Sequence, residues 1–274
     1  MKIVVAKGDL GNQMFGYAFY LFLKRKYRVS FVGFDIWGSI QVDIFKLSTI
    51  FSACKINSPN FYHTQFRIYN QRFIKSLIKI IDDESFFSDK AGLFTVYDGF
   101  WQSQLYFESI KADVRAAFLF DESKLNSSTK QLSIDIVNSN SISIHIRRGD
   151  YLQHADIFGG ICTVEYYTKA IEYVLDRIDN CSFFVFSDDI DWVKLNFSHL
   201  GDFKYVDCNS GMDSWQDMYL MSKCKHNIIA NSTFSWWGAW LNENPHKIVV
   251  APAKWMNTRD CDIILPETWI KVEI

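Results

Sequence analysis

Apolar and polar positions along the chain fall into two α/β rhythms separated by a polar interval. Residues 2–6, KIVVA, form a short continuous apolar run of the kind that makes a buried strand. Gly8 and Gly11 punctuate the KGDLGNQ that follows, and MFGYAFYLFLKRK then reads as a helix apolar on almost every side and therefore buried. RVSFVGFDI (28–36) predicts the next strand. Residues 45–90 are aromatic and basic and show no clean period; within them, 67–84 carries helical spacing, with Phe73, Ile74, Leu77, Ile78 and Ile80 on one broad face. LFTVYDGFWQSQLYF (93–107) predicts a strand ending at Asp98-Gly99, then a loop into a helix.

The Ser/Asn-rich stretch 122–141 marks a change of domain and holds a weak helix at 127–138. After it the rhythm restarts: strand SISIHIR, helix 164–178, strand 181–189, helix IDWVKLNF, strand 203–207, helix 214–224, strand 226–231, helix 232–242 and strand 247–253. Strands alternating with helices of this length predict parallel sheets. Two such blocks predict two Rossmann-like domains, 1–122 and 123–274, facing a central cleft.

Composition narrows the function without setting it. With 274 residues, 49% hydrophobic and 17% aromatic, the chain can bury a sizeable core. A net charge of −2 and a pI near 6.3 argue against a nucleic-acid partner, which would need a basic face, but leave room for one cationic pocket. The six cysteines, at 54, 162, 181, 208, 224 and 261, form no C-x-x-C pair, so zinc-ribbon and thioredoxin-like readings fail. With no signal peptide or apolar span in view, a cytoplasmic protein with free thiols is expected. Its surplus aromatics leave peripheral contact with the inner membrane face open.

Ligands of open parallel sheets bind beyond the carboxyl ends of the strands, and three polar clusters fall there. The first is Gly8 to Gln13. In the second, SISIHIRRGDYL (141–152), the period of two puts Ile142, Ile144 and Ile146 on one face and Ser143, His145 and Arg147 on the other. Gly149 lets the chain turn and Asp150 follows. Two readings are open: an Arg–Asp pair bracing a loop, or a phosphate clamp, since a guanidinium takes phosphate oxygens two at a time. The third is ANSTFSWWGAW, with Ser232 and Thr233 as N-caps of a helix whose first turn suits an anion. Trp236, Trp237 and Trp240 read as core rather than sugar platforms. No G-x-G-x-x-G or P-loop spacing occurs. Asp189-x-Asp191, like Asp260-x-Asp262, has the form of a divalent-cation pair, while a capped turn at Asp188 and Asp189 explains the same residues without metal.

Taken together, GDLGNQMFGYA, DGFWQSQLYF, SIHIRRGDY, FSDDIDWVK and HNIIANSTFSWWGAWLN resemble the α-1,2-fucosyltransferases, glycosyltransferase family eleven, in order from about residue 3 to residue 255. Bacterial members are short and lack a membrane anchor. The resemblance implies a GT-B-like fold whose second domain holds GDP-fucose, and inverting transfer of L-fucose to the 2-hydroxyl of a galactoside, on an oligosaccharide or glycolipid, with neither cofactor nor metal. It implies that Arg147 grips the donor β-phosphate, and that His145, Arg148, Asn231, Ser232, Thr233, Phe234 and Ser235 line the donor pocket. Asp217 is a looser candidate for a base or ribose contact. Asn12 matches an asparagine that lies near the reacting centre in distantly related protein O-fucosyltransferases; Asp9, Gln13, Trp101 and Gln102 fall on the acceptor side. The chain departs from the family's pattern at Asp9 and Gly16, where glycine and glutamine are usual, and at Gln104-Leu105, where Glu-Lys is common. These departures bear on acceptor identity more than on the donor.

In that reaction a cation placed where the leaving diphosphate gains charge favours the transition state over the ground state. Asp150 is the first candidate for the base that deprotonates the acceptor, with His154, Asp156 and Asp9 as rivals, although it could equally serve to orient Arg148. The alternatives are a non-catalytic sugar- or nucleotide-binding protein and a metal-dependent sugar-nucleotide transferase using Asp189 and Asp191.

Overall fold

A computed structural model describes residues 2–33, 43–56, 78–259 and 263–273. The chain divides into two compact units, Met1–Asp121 and Glu122–Ile274.

In the first unit, β1 (Lys2–Val5), β2 (Val29–Val32), β3 (Ile78–Ile81) and β4 (Phe94–Tyr97) form a parallel sheet in the order β2-β1-β4-β3. Helix α1 (Leu10–Lys24) follows β1, and α2 (Phe45–Ile50) and α3 (Lys111–Ala117) complete the unit's described helices. The near-uniform apolarity of α1 is explained by its surroundings: Phe15, Tyr17, Phe19 and Tyr20 are all buried, and Phe19 lies flat on Trp101 with ring centroids 3.8 Å apart. Gly16 is buried beneath Phe31, whose ring edge lies 3.3 Å from where a Cβ would stand, so this departure from the family pattern belongs to helix–sheet packing.

The helix expected over 67–84 is corrected at its end: 78–81 is β3, paired in parallel from Ile78↔Phe94 to Ile81↔Tyr97, while 67–77 lies outside the described residues. A short apolar run has no decisive period, and three isoleucines in four residues suit a pleated surface once a partner strand offers its edge.

The second unit holds six parallel strands in the order β10-β9-β8-β5-β6-β7. They are β5 (Asn140–Ile146), β6 (Cys181–Ser187), β7 (Phe203–Val206), β8 (His226–Ile228), β9 (Val249–Pro252) and β10 (Ile270–Val272). The helices are α4 (Ser127–Val137), α5 (Ala155–Phe158), α6 (Val164–Leu175), α7 (Ile190–Phe197), α8 (Trp215–Lys223) and α9 (Thr233–Leu241). Side-chain caps start three of them: Asn126 accepts from the Thr129 N–H at 2.8 Å, Thr163 from Tyr166 at 3.3 Å and Asp189 from Trp192 at 3.3 Å. Ile142, Ile144 and Ile146 share one core with Tyr166, Tyr167 and Val185, each buried isoleucine contributing roughly 1.5–3 kcal/mol. Trp236, Trp237 and Trp240 are buried, in keeping with the core reading. Strand β10 was not foreseen.

Both sheets reverse direction beside their first strand. From β5 the chain moves to β6 and β7 on one side and to β8, β9 and β10 on the other; from β1 it moves to β2 on one side and to β4 on the other. The crevices at β5/β8 and β1/β4 are therefore switch points, where ligands of open α/β sheets bind. Among the described residues no helix is long and apolar enough to cross a membrane, and five cysteines are free thiols.

Candidate active site

Strands β5 and β6 pair from Asn140↔Cys181 to Ile146↔Ser187, so the residue after β5 emerges beside the residue after β6. That register brings Arg147 to Asp188. Nη1 of Arg147 lies 3.1 Å from Asp188 Oδ2, while Nε and Nη2 donate to Asp150 Oδ1 at 2.9 and 2.7 Å. Asp188 also accepts the backbone N–H groups of Arg148, at 2.9 Å, and Gly149, at 3.1 Å. The turn closes so tightly on this carboxylate that a Cβ at position 149 would stand 2.7 Å from Asp188 Oδ2. A side chain there would have to displace that carboxylate.

Arg148 points elsewhere. Its Nε donates to Asp189 Oδ2 at 3.0 Å and its guanidinium lies 3.8 Å from the centre of the Trp192 ring, a cation–π contact on α7. Arg148 thus braces the start of α7, and one expectation is corrected: Asp150 orients Arg147, not Arg148. The physical reason is the alternation of β5, which sends adjacent residues to opposite sides.

His145 is buried, its ring centroid 5.8 Å from that of Phe234, and its Nδ1 has no hydrogen-bond partner among the described residues. Burial, with the Arg147 charge adding to it, pushes its pKa down to about 3, so the imidazole is neutral. Across the switch point, Asn231 is committed to the fold: its Nδ2 donates to the Trp255 carbonyl at 3.0 Å, its Oδ1 accepts from Cys162 Sγ at 3.4 Å, and its own carbonyl accepts from the Tyr151 hydroxyl at 2.8 Å. Ser235 Oγ donates back to Ser232 and Ala230 carbonyls. Ser232 makes no side-chain cap to α9 among the described residues, and Thr233 and Phe234 are half-buried at that helix start. Thr233 and Phe234 thus stay partly open at the helix start, whereas the Asn231 and Ser235 side chains serve the turn itself.

Asp217, on α8, accepts from Asn209 Nδ2 at 2.8 Å, and Asn209 Oδ1 accepts in turn from Asn126 and Thr129. Burial pushes the Asp217 pKa up to about 7.

At the β1/β4 switch point Asn12 and Gln102 meet: Gln102 Nε2 donates to Asn12 Oδ1 at 2.7 Å. Gly8 has φ +59°, and Asn12 Nδ2 lies 2.5 Å from the place of a Gly8 Cβ, so the turn also needs glycine. Gln13 folds inward; its Nε2 donates to the Gly8 carbonyl at 2.9 Å, and its buried Oε1 has no partner among the described residues. Asp9 is exposed at the start of α1. Trp101 is fully buried against Phe19, which corrects its expected place as an acceptor contact. It is an anchor: with φ 56°, it turns the chain so that Gln102 reaches Asn12. The pair Lys7–Asp98, 2.8 Å apart, was not foreseen. Nor was the bond set of Asp188, whose signal in the sequence is only that FSDD ends a strand parallel to SISIHI.

Of the base candidates, Asp150 is engaged by Arg147, and His154 and Asp156 are exposed at α5. Of the cation-pair candidates, Asp189 is held by Arg148 while Asp191 is almost wholly exposed, and Asp260 and Asp262 lie outside the described residues. Among the described residues no three His, Cys, Asp or Glu side chains converge as a metal-ligand group.

A family model for glycosyl transferase family 11 matches residues 1–273. An alpha-1,2-colitosyltransferase of Escherichia coli is 35% identical over 100% of both chains. The O-antigen biosynthesis glycosyltransferase WbnK of Escherichia coli is 45% identical, over 49% of this chain and 45% of its own. A galactoside alpha-(1,2)-fucosyltransferase 1 of Saimiri boliviensis boliviensis is 25% identical over 57% of this chain and 45% of its own. Among solved structures, NodZ alpha-1,6-fucosyltransferase soaked with GDP-fucose superposes with a TM-score of 0.50 at 14% identity, over 88% of this chain and 91% of that one. At that identity the likeness concerns the fold, which is of the GT-B type with two parallel sheets, as expected.

Proposed function

The chain belongs to glycosyl transferase family 11, and from that premise we propose that it moves L-fucose from GDP-fucose to the 2-hydroxyl of a terminal galactoside with inversion at the sugar carbon and without a metal. One observation carries this reading: Arg147 stands at the β5/β8 switch point with its guanidinium held by carboxylates rather than by the core. As the bond from sugar to phosphate breaks, the sugar becomes oxocarbenium-like and the diphosphate gains charge. A fixed guanidinium there is complementary to the leaving group as it departs, with little reorganisation. The start of α9, the next element after β8 and half-buried at Thr233 and Phe234, adds the positive end of a helix dipole beside that crevice. Neutral His145 brings a buried Nδ1, without a partner among the described residues, for a ligand hydroxyl or phosphate.

A second reading concerns the sugar alone. The full-length likeness to an alpha-1,2-colitosyltransferase favours a donor carrying colitose, which is fucose without its 3-hydroxyl. A site built to bond that hydroxyl rejects the deoxy sugar strongly, whereas a site that merely accommodates it discriminates weakly.

The test is GDP release from GDP-fucose and from the corresponding colitose nucleotide, each with and without lactose, in the presence of EDTA. Acceptor-dependent release, with a 2-linked product by NMR, is expected to survive the chelator. Faster turnover of the colitose nucleotide selects the second reading. Release from neither donor, or release that EDTA abolishes, overturns the proposal.

A further inference from the structure

Arg147 is held by two carboxylates that are held very differently themselves. Asp188 follows directly from β6, is only 25% exposed, and uses both oxygens on the turn: Oδ1 on the Arg148 N–H, Oδ2 on the Gly149 N–H and on Nη1 of Arg147. It could not leave Arg147 without also releasing two backbone donors. Asp150 sits on a single 3-10 turn, Asp150–Leu152, and is 52% exposed. Its side-chain hydrogen bond among the described residues goes to Arg147 alone, one oxygen covering both Nε and Nη2. That edge of a guanidinium is the fork that takes two phosphate oxygens side by side.

We propose that Asp188 is a positioning residue that fixes Arg147, and that Asp150 is an exchangeable counter-ion whose place on the Nε/Nη2 fork the diphosphate of a bound nucleotide takes. The inference rests on the donor reading above. A diphosphate offers two oxygens and more charge to the fork than one carboxylate oxygen does, so it displaces the exposed partner. Asp188 stays on Nη1 because the backbone of the turn is wrapped around it. The two carboxylates thus share a partner but act in opposite directions on nucleotide affinity: one presents the cation, the other competes for it.

The experiment is calorimetric titration of the full chain, and of Asp150→Asn and Asp188→Asn, with GDP and separately with guanosine. Guanosine has no diphosphate, so it reads the nucleoside contacts and the integrity of the fold. Asp150→Asn is expected to bind GDP about two- to fivefold more tightly, the scale of an exposed ion pair, with guanosine unchanged. Asp188→Asn is expected to bind GDP roughly tenfold to a hundredfold more weakly, the scale of a charge-assisted hydrogen bond, again with guanosine unchanged. Equal or weaker GDP binding by Asp150→Asn overturns the exchange, and loss of GDP and guanosine together in a folded Asp188→Asn overturns the positioning role. Should Asp188→Asn fail to fold, Asp150→Asn, altered on an exposed turn, still decides the exchange. A wild-type chain that binds no GDP overturns the donor reading and this inference with it; GDP binding with the variant responses reversed overturns this inference alone.

Discussion

At the end of β5 the side chains that meet are charged: Arg147 with Asp150 and Asp188, and Arg148 with Asp189. At the end of β1 the central pair is neutral, Asn12 with Gln102, and one ion pair, Lys7–Asp98, lies beside it. Each set occupies the switch point of a parallel sheet, and each turn carries a glycine, at 149 and at 8, where a Cβ would press on a side chain of the set. The same architectural device is thus furnished for two chemistries. Fixed charge meets an anion, while amides, which both donate and accept, suit the hydroxyls of a sugar. In the reaction proposed above, the charged set would meet the leaving group and the amide set the acceptor sugar, a division that substitutions on each side can break.

The largest effect is expected from Arg147→Ala. If its guanidinium absorbs the charge of the departing diphosphate, kcat falls about 10²–10³-fold, about 2.7–4 kcal/mol of transition-state stabilisation. Steady-state GDP release measures this, with thermal melting as the control for folding. Activity within severalfold of wild type would remove the charged member of the comparison.

An intermediate effect concerns His145, the residue that keeps the β5 end free of a second titrating cation. Its pKa is pushed down to about 3 from 6.5, by burial first and by Arg147 second. Between those values the unfolded chain binds a proton that the folded chain does not, so stability is full above the unfolded value and is lost as pH falls through that window. From about pH 8 to about pH 4.5 the cost approaches roughly 3 kcal/mol. Asp217, pushed up to about 7, contributes with the opposite sign over the same range, so the readout is the difference in urea-unfolding free energy between His145→Gln and wild type, which should shift in favour of the variant by that amount as pH falls. A difference that does not change with pH would mean that the imidazole protonates inside the fold.

How much of this arrangement was legible beforehand depends on whether its cause is local. The period of two in SISIHI placed Ile142, Ile144 and Ile146 in one core, and IDWVKLNF is the helix Ile190–Phe197. The glycine turns and the strand ends that carry the candidate residues were readable for the same reason. What escaped depends on pairing across the sheet. Asp188 meets Arg147 only because Ile146 sits opposite Ser187, a register that neither segment states alone. Strand β3 formed where helical spacing was read because β4 offered an edge. Trp101 looked like a sugar contact beside Gln102, yet its ring went under Phe19. An aromatic residue next to a polar one carries no sign of which will face solvent, because a left-handed backbone at that residue reverses the expectation.

The smallest effect tests the neutral half of the comparison. Gln102 donates to Asn12 across the β1/β4 crevice, held there by the Trp101 turn. Gln102→Ala removes one neutral hydrogen bond, worth about 1 kcal/mol, which corresponds to roughly fivefold. If the amide pair recognises the acceptor, that loss appears in KM for the galactoside, because Asn12 is no longer oriented, while kcat at saturating acceptor changes less and GDP affinity does not change at all. If the pair only braces the Gly8–Asn12 turn, the same energy appears in the unfolding midpoint and KM for the galactoside stays at its wild-type value. The two outcomes separate because a structural bond is already made in the free protein and cannot depend on sugar, whereas a recognition bond is worth something only when the sugar is present. A change in GDP affinity on Gln102→Ala would break the division of labour itself, since no charge at the β5 end has been touched.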